Sequence, residues 1–131
     1  MSQGKILVVE DEDNISQLLT AVLEFKGYQD IQTAHNGQEG IEKYKQDKPN
    51  LVLMDLEMPV MNGYESSREI KKIDPGANIL LITGNPRSPF AQRIIREGYA
   101  LQIIPKPFDL DEILQAVTST LSPRPSSRYS H

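Results

Sequence analysis

Five polar side chains stand at the ends of short apolar runs, and their types together suit phosphate chemistry. Glu10 and Asp11 follow "ILVV", Asp55 ends "LVLMD", Thr83 ends "ILLIT", and Lys106 follows "QIIP". A carboxylate at the end of a buried run is costly to take out of water unless something compensates it. Glu10, Asp11 and Asp55 gathered in one place would repel one another unless a cation lay among them. Hard oxygen ligands with room for water suit magnesium, or else manganese. Such an ion would screen an incoming phosphoryl group and leave Asp55 ionised as a nucleophile. Thr83 would supply a hydroxyl donor, and Lys106 a fixed positive charge, for phosphoryl oxygens.

Each residue alone has a plainer explanation. An acid run after a strand often forms the first turn of the next helix, threonine is common in strands, and Lys106 sits between two prolines as a loop lysine would. Function rests on whether the elements bring the five together. "KILVV" (Lys5–Val9), "DIQTA" (Asp30–Ala34), "LVLM" (Leu51–Met54), "NILLIT" (Asn78–Thr83) and "LQIIP" (Leu101–Pro105) read as strands. Between them lie amphipathic stretches. Ile15, Leu18, Leu19, Val22 and Phe25 form an apolar stripe closed by Gly27. Gly37–Asp47 reads as a helix with Ile41 and Tyr44 inward, and a third helix runs from Gly63 to about Ile73. Ser88-Pro89 opens a fourth, with Phe90, Ile94 and Ile95 on one face. "DLDE" (Asp109–Glu112) reads as a capping box opening a fifth.

Five strands alternating with five helices imply an α/β fold, a parallel sheet with helices on both faces. In such sheets ligands bind at the carboxyl ends of the strands, which is where all five polar residues fall. The domain is read as residues 1–121, and "SPRPSSRYSH" (Ser122–His131) as a disordered tail or truncated linker.

The composition narrows the field further. The chain has no cysteine, which excludes disulfides and thiol chemistry, and only two histidines, His35 and His131. Its formal net charge is −4, with Arg124 and Arg128 in the tail, so the body does not look like a nucleic-acid binder. No apolar run is long enough for a membrane span, and the N-terminus lacks a signal-peptide pattern. The reading is a cytoplasmic protein without nucleic-acid or membrane partners.

These motifs resemble a bacterial response-regulator receiver domain of the single-domain chemotaxis type. The resemblance spans roughly Lys5 to Leu121 and is carried by "ILVVEDED", "PNLVLMDLEMPVMNG", "LLITG" and "PKPF". It implies a flavodoxin-like doubly wound fold with strand order 2-1-3-4-5. It also implies a switch in two-component signalling. Asp55 would accept a phosphoryl group from a sensor histidine kinase or histidine phosphotransfer protein, and the altered surface would be read by a downstream target protein. By the same resemblance Asp11, Asp55 and the backbone carbonyl of Glu57 would bind Mg2+, with Glu10 acting partly through water. Thr83 and Lys106 would grip the phosphoryl group, and Glu57 and Asn85 would tune its lifetime. Such a domain turns over no dedicated substrate but catalyses its own phosphorylation and dephosphorylation. This chain departs from the family in two places. Ile103 stands where an aromatic switch residue is common, and the Thr83–Lys106 interval is about one residue longer than the family's, with Tyr99 or Leu101 as the extra residue. Without that aromatic, switching is expected to run through Gly84–Pro89 and the helix after it. The alternative is an aspartate-nucleophile phosphatase of the haloacid dehalogenase type, which also has two acids two apart. There, however, the nucleophile ends the first strand.

Overall fold

The computed structural model describes residues 4–122. Ten elements alternate along them: β1 (Lys5–Val9), α1 (Asp13–Lys26), β2 (Asp30–Ala34), α2 (Gly37–Asp47), β3 (Leu51–Asp55), α3 (Gly63–Ile73), β4 (Ile79–Thr83), α4 (Pro89–Arg96), β5 (Gln102–Pro105) and α5 (Leu110–Leu121). The strands form one parallel sheet, as the alternation implied, in the order β2-β1-β3-β4-β5 that the resemblance implied. Of the expected tail only Ser122 is described, as the C-cap of α5; 123–131 lie outside the described residues. Among the described residues, no helix is long and apolar enough to cross a membrane.

Strands β3 and β4 are buried at every position, because both faces of the sheet are covered. Alternate residues serve opposite layers. Leu7, Val9, Met54 and Leu81 pack with Ile41, Tyr44, Ile70 and Ile94 from α2, α3 and α4. Ile6, Val8, Leu53 and Ile82 pack with Leu19, Leu23, Ile113 and Val117 from α1 and α5. Each such side chain contributes about 1.5–3 kcal/mol by leaving water. These two layers fix the strand ends, and hence the rim.

Three local expectations are corrected. Helix α1 buries Ser16, Leu19 and Leu23, while Leu18 is 45% and Phe25 91% exposed. Residues 16, 19 and 23 lie on one line of the helix, whereas Leu18 and Phe25, seven apart, share a neighbouring line that faces outward. Helix α4 buries Ala91 and Ile94; Phe90 and Ile95 flank that line and stay partly open. Asp109 caps α5 by accepting from the Asp111 amide at 2.9 Å, an interaction with the second helical residue and not the expected box with Glu112. A full capping box occurs instead at α3, where Asn62 accepts from the Glu65 amide and Glu65 accepts from the Asn62 amide.

That box seats the start of α3 against the end of β3. The Gly63 amide donates to the Leu56 carbonyl at 2.9 Å. A Cβ at Gly63 would stand 2.4 Å from the Asp55 carbonyl oxygen and 2.8 Å from Leu56 Cα. Both are backbone atoms and cannot swing aside. Gly63→Ala should therefore destabilise the fold by about 1–3 kcal/mol, the usual cost of overpacking, despite alanine's better helix propensity. Gly84→Ala, where an added Cβ meets nothing within 4 Å, should stay within about 0.5 kcal/mol of wild type. Urea unfolding checks the pair, and equal midpoints would mean that α3 lifts off the strand freely.

Candidate functional site

Register places the polar residues on one rim. Val9 is level with Met54, Asp55 with Ile82, and Thr83 with Pro105. Glu10 is therefore level with Asp55, with Thr83 one residue and Lys106 two residues further along the same rim. The apolar runs put them there: β1 from Ile6 on, β3 and β4 are buried to their last residue, and Asp55 and Thr83 end their strands while Glu10 and Lys106 follow theirs.

Glu10 and Asp55 are each 1% exposed and Thr83 is fully buried. Lys106 Nζ donates to Asp55 Oδ1 at 3.0 Å and stands 3.6 Å from Glu10 Oε1. Glu10 also accepts from the Glu12 amide at 3.1 Å. Carboxylate oxygens of Glu10, Asp11 and Asp55 all lie within 4.8 Å of one another. Burial pushes the Asp55 carboxyl up to about 7, and the Glu10 charge adds to this against the Lys106 hydrogen bond. Burial likewise raises Glu10, against the Glu12 amide and the Lys106 charge. For Lys106, burial works toward the neutral form. The hydrogen bond to Asp55 and the charges of Asp55, Glu10 and Glu57 together outweigh it and hold the ammonium above its ordinary value.

One ammonium thus faces three acids. Two buried oxygens, Glu10 Oε1 and Asp55 Oδ2, have no hydrogen-bond partner, which is unusual for buried polar atoms. An all-oxygen donor set with orphaned carboxylate atoms fits a hard divalent cation of the magnesium kind.

Across the rim, Thr83 does not point its hydrogen bond at Asp55. Its hydroxyl donates to the Glu57 carboxylate, which also accepts from the Gly84 amide at 3.2 Å. The Asn85 amide in turn donates to Thr83 Oγ1 at 3.0 Å. Sequence reasoning singled out Glu57 but missed this capture of Thr83 by its side chain. The available signal was register, since β3 and β4 pair in parallel and Glu57 lies just past the end of β3. Ile103 is partly buried against the layer formed by α2, α3 and α4. The aromatic residues of this face lie elsewhere: the Tyr64 ring meets Phe90 and Tyr99 at centroid separations of 5.5 and 5.8 Å.

Comparison with known proteins agrees with this geometry. The response regulator receiver domain family matches residues 6–118. The chemotaxis protein CheY of Bacillus subtilis (strain 168) is 35% identical over 118 residues, covering 90% of this chain and 98% of that protein. Sporulation initiation phosphotransferase F of the same organism is 36% identical over 121 residues, covering 92% and 96%. Among solved structures, CheY in the CheX–CheY–BeF3–Mg complex from Borrelia burgdorferi superposes with a TM-score of 0.83 at 28% identity, covering 91% of this chain and 90% of that one. The response regulator TrrA of Thermotoga maritima, in complex with Mg(2+)-BeF, gives a TM-score of 0.79 at 35% identity, covering 92% and 99%. The chain belongs to the response regulator receiver domain family.

The charge balance of the rim sets a stability test. In metal-free buffer Lys106→Met should lower stability by about 3–5 kcal/mol, because it leaves buried carboxylates without their counter-charge. Asp55→Asn removes one of the crowded acids and should leave the melting temperature unchanged or raise it. Thermal melts in chelator check both. A loss in Asp55→Asn as large as in Lys106→Met would show that the pair, and not the acid excess, governs the rim.

Proposed function

We propose that this receiver domain is a phosphorylation-dependent signalling switch in which Asp55 is the phosphoacceptor. The carrying observation is a buried carboxylate with one oxygen on Lys106 and the other unpartnered, beside two further acids. In this reading a phosphohistidine of a sensor histidine kinase or histidine phosphotransfer protein is the donor. An Asp55 oxygen bonds to phosphorus, the phosphorus–nitrogen bond breaks, and the imidazole leaves with the electron pair and is protonated. Hydrolysis of the aspartyl phosphate returns Asp55 and inorganic phosphate. Lys106 holds a phosphoryl oxygen by charge and orients the acceptor. Thr83, released from Glu57, donates its hydroxyl to the phosphoryl group.

Asp11, Asp55 and the Glu57 carbonyl would hold Mg2+, with Glu10 contributing through water. When bound, the ion offsets the negative charge of acceptor and phosphoryl group. The switch unit spans residues 1–121, acts in the cytoplasm and passes its signal to a downstream target protein. The relatives solved with magnesium and beryllofluoride support this reading. The haloacid dehalogenase-type alternative gains nothing from the geometry, because Asp55 ends the third strand.

Incubation with a small phosphodonor, followed by intact mass, tests the assignment. Wild type should gain one phosphoryl group only with Mg2+ present. Asp55→Asn should gain none, and Lys106→Ala should label slowly or respond weakly, a loss of about 3 kcal/mol of charge stabilisation. Label that persists in Asp55→Asn would place the acceptor elsewhere.

A further inference from the structure

Tyr64, in the first turn of α3, touches α4 through ring, cation and hydrogen-bond contacts. Its ring is 3% exposed. The Arg93 guanidinium lies over it, 4.7 Å from the centroid, with Phe90 and Tyr99 against its other sides. The Tyr64 hydroxyl donates to Glu97 Oε1 at 2.5 Å, and Arg93 Nε donates to Glu97 Oε2 at 3.3 Å. Ring, guanidinium and carboxylate therefore close a triangle between the first turn of α3 and the last turn of α4. Aromatic and cation contacts of this kind stabilise beyond the area they bury.

The two ends of this arrangement lead back to the rim. Tyr64 follows Gly63, which is pressed on the Asp55 carbonyl, so its backbone is fixed relative to the acceptor strand. Helix α4 follows Thr83 by five residues, and Ser88 caps it. The Thr83 hydroxyl and the Gly84 amide are both held by Glu57, at the start of the segment that leads to α4. Movement of Thr83 toward a phosphoryl group draws on the segment that carries Phe90 and Arg93. The triangle opposes that movement.

We propose that Tyr64 is a positioning residue that clamps α4 in its resting position through Glu97 and Arg93, so that loosening the clamp makes the site bind a phosphoryl group more readily. The proposal rests on the phosphoacceptor reading given above. It follows from linkage: a contact made in only one of two states lowers the affinity of any ligand that favours the other. Ile103, small and stiff at χ1, leaves Tyr64 as the aromatic contact that sets the position of α4.

The probe is beryllofluoride with Mg2+, followed by amide NMR of wild type, Tyr64→Phe and Glu97→Ala. Tyr64→Phe keeps the ring and removes only the hydroxyl. Each variant should bind the mimic about fivefold tighter or more, the low end of ordinary coupling. In the unliganded variants, amides of residues 89–97 should lie partway along the wild-type free-to-bound displacement. The double variant should match Glu97→Ala alone, since the hydrogen bond that Tyr64→Phe removes is already lost in Glu97→Ala. Normal mimic binding by wild type with unchanged affinity in both variants, and only a lower melting temperature, overturns the clamp. Failure of wild type to bind the mimic overturns the phosphoacceptor reading and the clamp with it.

Discussion

Burying like charges side by side is the constraint around which this molecule is built. Glu10 and Asp55 are almost wholly withdrawn from water, the more exposed Asp11 stands beside them, and among the described residues Lys106 is the cation that pairs with them. In a low-dielectric setting such an arrangement holds only if geometry is imposed from outside the charges themselves. The apolar runs impose it. The buried runs of β1, β3 and β4 end close to one level, and two packed layers keep them from sliding. The charge excess that makes the rim unfavourable alone is also what suits it to a divalent cation.

Most of this frame was legible in the sequence, because β1, β3 and β4 are continuous apolar runs whose next residue is polar. That pattern reports burial on both faces and its abrupt end. The alternation of strands with amphipathic stretches gave the sheet its class, and the resemblance supplied the strand order. Helix faces were harder to read. In α1, Leu18 and Phe25 fit helical spacing as well as Ser16 and Leu23 do, and only the neighbours decide which line is covered. A buried serine and an exposed phenylalanine cannot be told from periodicity. The capture of Thr83 by Glu57 and of Glu97 by Tyr64 spans 26 and 33 residues. Local pattern carries no information about such pairs; register and packing do.

The two Asn-Gly pairs show how context redirects a local signal. Between alternating apolar residues this dipeptide ordinarily marks a hairpin. A parallel sheet has no hairpins, and here Asn36 and Asn62 are N-caps, with Gly37 and Gly63 as the first helical residues. Small size matters at both glycines. At Gly37 a Cβ would reach the Met61 side chain and carbonyl at 3.0 Å, and at Gly63 it would reach backbone that does not yield.

The Asn62 cap also bears on chemical ageing. Asparagine followed by glycine loses its amide when the next backbone nitrogen attacks the side-chain carbonyl and closes a five-membered imide. In the folded chain both reacting groups are engaged: Asn62 Oδ1 accepts from the Glu65 amide at 2.9 Å, and the Gly63 amide is turned to the Leu56 carbonyl at 2.9 Å. Ring closure therefore waits on opening of this corner. Conversion to aspartate would leave a competent cap. Conversion to isoaspartate would add a backbone methylene between the cap and the glycine that rests on Asp55. Slow accumulation of isoaspartate at position 62 in a stored sample is thus a clock for how often the start of α3 leaves the end of β3.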